Sequence, residues 1–160
     1  MKVPWRRVAS WHCVACGKCC RAFRVRLNAY EYLKLKHTGF VEERGGKFYI
    51  KKIDGLCPFQ VGSLCALQDK LKPIACRLYP FSIYERGSED ATFEYGGETY
   101  YVYVDTFCRN VKLGKAGADM MKIVEEAVKM HRREISQPQK LTADLGASGL
   151  QRLRRRPARV

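Results

Sequence analysis

Polar and apolar residues alternate over 21–27, with Phe23, Val25 and Leu27 in register. That period of two predicts a short strand. Asn28 then precedes Glu31 by three residues, the spacing of a capping box, in which each side chain accepts from the other's backbone N–H. A helix over 29–36 follows, ended by Gly39. Stretches 40–44 and 47–53 flank Gly45-Gly46, a two-residue hairpin signal. A short helix is expected over 66–72, stopped by Pro73. Strands are expected over 78–85 and 92–95, separated by the polar loop 86–90. Gly96-Gly97 marks a second hairpin, feeding 99–105. Tyr100, Tyr101, Tyr103 and Phe107 make this stretch aromatic, as suits a pleated, half-buried sheet. Over 115–135 the period becomes helical: Met120, Val124, Val128, His131 and Ile135 recur at three- and four-residue steps. This predicts the longest helix, with His131 on its apolar face as a core histidine. The pattern describes a small α+β domain over 1–136, with two β-hairpins and two or three helices. Residues 137–160 read as a flexible basic tail.

Composition and charge refine this picture. The 160 residues are 46% hydrophobic, a globular balance with enough chain to bury a core. The longest apolar run, 100–104, is far too short to span a membrane. Residues 1–12 hold no apolar run of the signal-peptide kind, so a cytoplasmic, reducing environment is expected. The formal net charge is +14, and it is uneven: residues 1–36 carry +8, residues 37–110 carry −1 and the last ten carry +5. Such basic ends suit nucleic acid or another polyanion. Arg152, Arg154, Arg155, Arg156 and Arg159 are the residues expected to make that contact, and a solubilising terminus is the plainer reading of the same tail. Lys18, Arg21, Arg24 and Arg26 read equally well as compensation for negative charge nearby.

That negative charge is expected from sulfur. Residues 13–21 read C-V-A-C-G-K-C-C-R, which places four of the eight cysteines within eight residues. In a reducing compartment such clustering points to metal in preference to disulfides. Cys13-x2-Cys16-Gly17 is a knuckle: two intervening residues let both sulfurs reach one metal, and Gly17 suits the left-handed turn. Cys13, Cys16 and Cys19 also match the three-cysteine run of bacterial-type ferredoxins, and Cys57-Pro58 supplies a cysteine followed by proline, as their fourth ligand is. Neighbouring side chains diverge, so the doublet Cys19-Cys20 is expected to divide its labour between two irons, two sites, or one metal and one structural role. Cys57, Cys65 and Cys76 follow without a second knuckle, which argues against a simple zinc ribbon. Cys108 stands alone and reads as a buried small hydrophobe before a ligand. His12 and His37 read as bystanders. Trp5 and Trp11 are expected either to cover the metal site or to anchor the terminus.

The run C-V-A-C-G-K-C-C-R, then G-L-C-P-F-Q-V-G-S-L-C-A-L, then K-P-I-A-C-R-L-Y-P-F resembles the YkgJ-like CxxCxxCC cysteine-cluster family, proposed to chelate zinc or iron. The likeness covers about residues 11–84. It implies that Cys13, Cys16, Cys19, Cys20, Cys57, Cys65 and Cys76 form the metal-binding set. It also places Arg77, Tyr79, Pro80 and Phe81 in the shared pattern. Arg77 would donate to thiolate sulfur or offset the charge of the bound group; a surface ion pair is the competing role.

These residues describe a metal-stapled domain. An iron–sulfur cluster, 4Fe–4S by preference, is favoured because seven clustered cysteines exceed the four that one zinc takes. Its role would be redox or cluster-dependent. The alternative is a structural zinc module that binds nucleic acid through its basic ends. No Walker loop, no Ser-His-Asp order and no G-x-G turn after a strand occurs, and the cysteine spacing is not that of radical S-adenosylmethionine enzymes.

Overall fold

A computed structural model describes residues 1–67 and 71–135. The chain opens with β1 (Lys2–Pro4), a 3-10 turn and β2 (Val8–Ser10). The cysteine loop leads to α1 (Lys18–Ala22), β3 (Arg26–Leu27) and α2 (Ala29–Leu35). Two hairpins follow, β4 (Val41–Arg44) with β5 (Lys47–Ile50), then β6 (Gln60–Val61) with β7 (Leu64–Cys65). The remainder is α3 (Ile74–Leu78), β8 (Phe81–Tyr84), β9 (Thr92–Tyr95), β10 (Glu98–Asp105), β11 (Lys112–Leu113) and α4 (Ala118–His131). This is the expected small α+β domain, with four helices and a third hairpin among the described residues. None of those helices is long and apolar enough to cross a membrane.

The longest strand, β10, organises the larger half. It pairs antiparallel with β1, β8 and β9. Alternation along β10 buries Val102 and Val104 completely, while Tyr101 and Tyr103 on the other face are half-buried. Against that buried face pack Trp5, Val8, Trp11 and Phe81, with Met120, Val124, Ala127, Val128 and Met130 of α4. A smaller sheet, β3-β5-β4, carries the second core, Leu27, Leu35, Ile50 and Phe59.

Several local rules hold as written. Asn28 Oδ1 accepts from Glu31 N at 2.8 Å and Glu31 Oε2 accepts from Asn28 N at 2.9 Å, a complete capping box at the start of α2. Gly39 ends the following 3-10 turn at φ 75°. The hairpins at Gly45-Gly46 and Gly96-Gly97 both form.

Other expectations are corrected. The strand over 21–27 shrinks to Arg26–Leu27, because α1 runs on to Ala22. Pro73 opens a helix instead of closing one: it stands before α3, where a missing N–H costs nothing. The strand expected from residue 78 therefore begins at Phe81. Of the helix expected over 66–72, Ala66 and Leu67 form a turn; residues 68–70 lie outside the described residues, as does the tail 137–160. His131 is exposed and not a core residue. The buried stripe of α4 passes through Ala127 and Met130, which leaves the imidazole at its edge beside Tyr100, ring centres 6.2 Å apart.

Candidate metal centre

A cavity of about 150 Å³ lies between the two cores. All eight cysteines line it. Cys13 and Cys16 come from the loop after β2, Cys19 and Cys20 from α1, and Cys65 from β7. Cys57 precedes β6, Cys76 sits in the middle of α3, and Cys108 lies in the turn after β10. Cys13 and Cys108 pack against the larger core and Cys57 against the smaller one, so the sulfur-lined space bridges the two.

Backbone geometry builds the knuckle. Ala15 and Gly17 both adopt left-handed conformations, φ 53° and 73°, which turn the chain on either side of Cys16. For Ala15 that conformation carries a strain cost of about 1–3 kcal/mol. At Gly17 space matters as much as φ. A Cβ there would stand 2.5 Å from Gln60 Nε2 and 3.3 Å from the backbone of Ser63. The β6–β7 hairpin therefore seats directly on Gly17, and Gln60 pairs in register with Cys65. That seat brings Cys65 to the knuckle.

A second fastening positions Cys76. Glu31 Oε1 accepts from Ile74 N at 2.7 Å, while Oε2 completes the capping box. One carboxylate thus satisfies a backbone donor at the start of both α2 and α3, the two helix ends where N–H groups lack intrahelical partners.

Electrostatics inside the cavity are those of crowded thiols. Burial pushes the Cys76 thiol up to about 12, despite the nearby positive charge of Lys72. Burial likewise raises Cys13 and Cys65. The interaction between the neighbouring Cys19 and Cys20 side chains raises the Cys19 thiol and lowers that of Cys20. Both residues of the doublet line the cavity. Trp11 Nε1 donates to Cys108 Sγ at 3.4 Å. Trp11 accordingly serves both expected roles, covering the site and anchoring the terminus, whereas Trp5 belongs to the core and donates from Nε1 to Thr92 O at 3.0 Å.

Some predicted partners lie elsewhere. Arg77 lines a separate cavity with Asn28, Lys34 and Arg133, and is not among the residues lining the sulfur cavity. Successive helix residues point about 100° apart, so the turn that aims Cys76 inward carries Arg77 away. Arg24 pairs with Glu42 at 2.8 Å. Of the four basic residues near the cysteine run, Lys18 lines the cavity, joined by Lys72 and Arg109. His12 and His37 are exposed. Cys108, read from sequence as a buried hydrophobe, is half-buried in the cavity wall. Its signal was available in Trp11, but nothing local linked residues 97 positions apart.

The donor set fits a thiophilic metal. Among the described residues, no histidine or carboxylate lines the cavity; the metal-binding atoms are sulfur, and the charged neighbours are cations. Soft thiolates suit zinc and iron–sulfur clusters alike, and positive charge nearby favours the deprotonated form they need. The sulfurs ring the space and do not converge: among the described residues, no three His, Cys, Asp or Glu side chains are grouped closely enough to hold one ion together.

A small α+β domain walled by cysteines in this way is a metal-chelating domain. The chain belongs to the CxxCxxCC family, described as "Putative zinc- or iron-chelating domain", whose family model matches residues 12–109. That span takes in all eight cysteines. No curated protein and no solved structure matches the chain.

Proposed function

We propose that the cavity binds an iron–sulfur cluster, 4Fe–4S by preference, and that the protein acts in a redox or cluster-dependent role. The observation that carries this reading is the ring of eight sulfurs around one space. Eight thiols exceed the four that a single zinc takes, and Cys13, Cys16 and Cys19 keep the ferredoxin spacing. The bound cluster would supply one-electron chemistry. The chain's own residues would supply thiolate ligands, the positive charges of Lys18, Lys72 and Arg109, and the Trp11 donor that orients Cys108.

A structural zinc module is the second reading, supported by the left-handed Gly17 after Cys13-x2-Cys16, as in a zinc knuckle. In that reading the basic ends bind nucleic acid, and deleting residues 151–160 weakens a salt-sensitive association. Anaerobic purification with metal and sulfide analysis decides between the two. A brown protein holding several irons and acid-labile sulfide supports the cluster. A colourless protein with stoichiometric zinc overturns it.

A further inference from the structure

Tyr79 carries the one buried side-chain nitrogen or oxygen that finds no hydrogen-bond partner among the described residues. Other tyrosines of the molecule are well served. Tyr95 donates to Glu134 Oε2 at 2.7 Å, Tyr103 accepts from Ser88 N at 2.8 Å, and Tyr84 accepts from Lys2 Nζ at 2.7 Å. The Tyr79 ring packs on Phe23, ring centres 5.0 Å apart, and the side chain lines the sulfur cavity at the C-terminal end of α3, three residues beyond Cys76. A buried hydroxyl left without a partner costs about 1–3 kcal/mol. Phenylalanine would fill the same space without that cost, so the hydroxyl needs an acceptor that the polypeptide alone does not provide. Neutral thiols accept hydrogen bonds weakly. A metal-bound thiolate or sulfide carries negative charge and accepts well.

We propose that the Tyr79 hydroxyl donates a hydrogen bond to a sulfur of the bound metal centre and thereby tunes it as a positioning residue. This rests on the metal-binding reading above but not on which metal is native. The inference has two consequences of opposite sign. In the metal-free protein the hydroxyl is a burden, so Tyr79→Phe leaves the melting temperature unchanged or raises it. In the metal-loaded protein the hydroxyl is a ligand-shell donor, so the same substitution weakens the site.

Titrating cobalt(II) into the metal-free full chain under anaerobic conditions reads both. In Tyr79→Phe the apparent cobalt affinity should fall about tenfold, the lower end of what losing an outer-shell hydrogen bond costs. The sulfur-to-cobalt charge-transfer band should move to longer wavelength, because the sulfur lone pairs are no longer stabilised. An affinity and band identical to wild type overturn the inference alone. So does a parallel loss of affinity and metal-free melting temperature, which marks a packing role. A wild-type chain that takes up no cobalt overturns both this inference and the metal-binding reading beneath it.

Discussion

The two cores of this protein are unequal, and the sulfur cavity lies between them. The larger gathers eleven buried residues from β8, β10 and α4 and from the N-terminal stretch around β2, which supplies both tryptophans. The smaller has four, Leu27, Leu35, Ile50 and Phe59, on short strands, a two-turn helix and the turn before β6. Apolar burial contributes about 1.5–3 kcal/mol per large side chain, so the larger core can hold its sheet and helix together unaided. Four such residues leave little surplus over the entropy of ordering β3 to β5. The difference teaches where a metal would matter most. A centre joining Cys13 and Cys108 on one side to Cys57 on the other would tie the weak half to the strong one. Binding that favours the folded state adds its free energy to folding.

The largest effect expected follows from stripping the metal with a chelator. Amide exchange should quicken at Ile50, whose N–H donates to Val25 O at 3.0 Å, while Val102 and Val104 stay protected. Equal loss in both halves would show that the cores do not differ in this way.

Truncating a core side chain sharpens the comparison. Leu35→Ala and Met120→Ala each remove a fully buried side chain and should each cost about 2–5 kcal/mol by denaturant unfolding. Leu35→Ala should also lower metal retention, whereas Met120→Ala should not, as metal analysis of the two purified variants will show.

Glu31→Gln comes next. One of the two N–H groups that Glu31 serves loses its acceptor, since an amide nitrogen cannot accept. The expected loss is about 1–3 kcal/mol, measured by thermal or denaturant melting. The loosened α3 should release metal faster than wild type.

Gly17→Ala has a comparable cost in stability, about 1–3 kcal/mol for an alanine held at φ 73°, and it acts at the seat of the β6–β7 hairpin. Metal content should fall in this variant, with the exchange pattern of β10 unchanged. Full metal content would mean that the hairpin shifts to admit the methyl group without displacing Cys65.

Much of the architecture was legible from short-range chemistry. Asn28 and Glu31 announced their capping box, Gly45-Gly46 and Gly96-Gly97 their hairpins, and Met120, Val124 and Val128 the buried face of α4. Each of these rests on residues within about four positions of one another, where turn geometry and periodicity decide the outcome. His131 was misread because the stripe shifts by one step near the end of the helix, and which residue a sheet covers there is a matter of packing.

What the sequence determined by itself, then, was the chemistry: cysteines in a spacing made for metal, with a glycine where the knuckle must turn. Tertiary structure alone decided which groups meet. It brought Cys108 to the cavity across 97 residues and hung Trp11 on it. It added Lys72 and Arg109 to the lining and carried Arg77 off to the neighbouring cavity. It gave Glu31 a second helix to hold, 43 residues away. The reason is that ligand identity is written in side-chain type and local spacing, whereas encounter depends on how two unequal cores fold against each other, and no four-residue rule reaches that far.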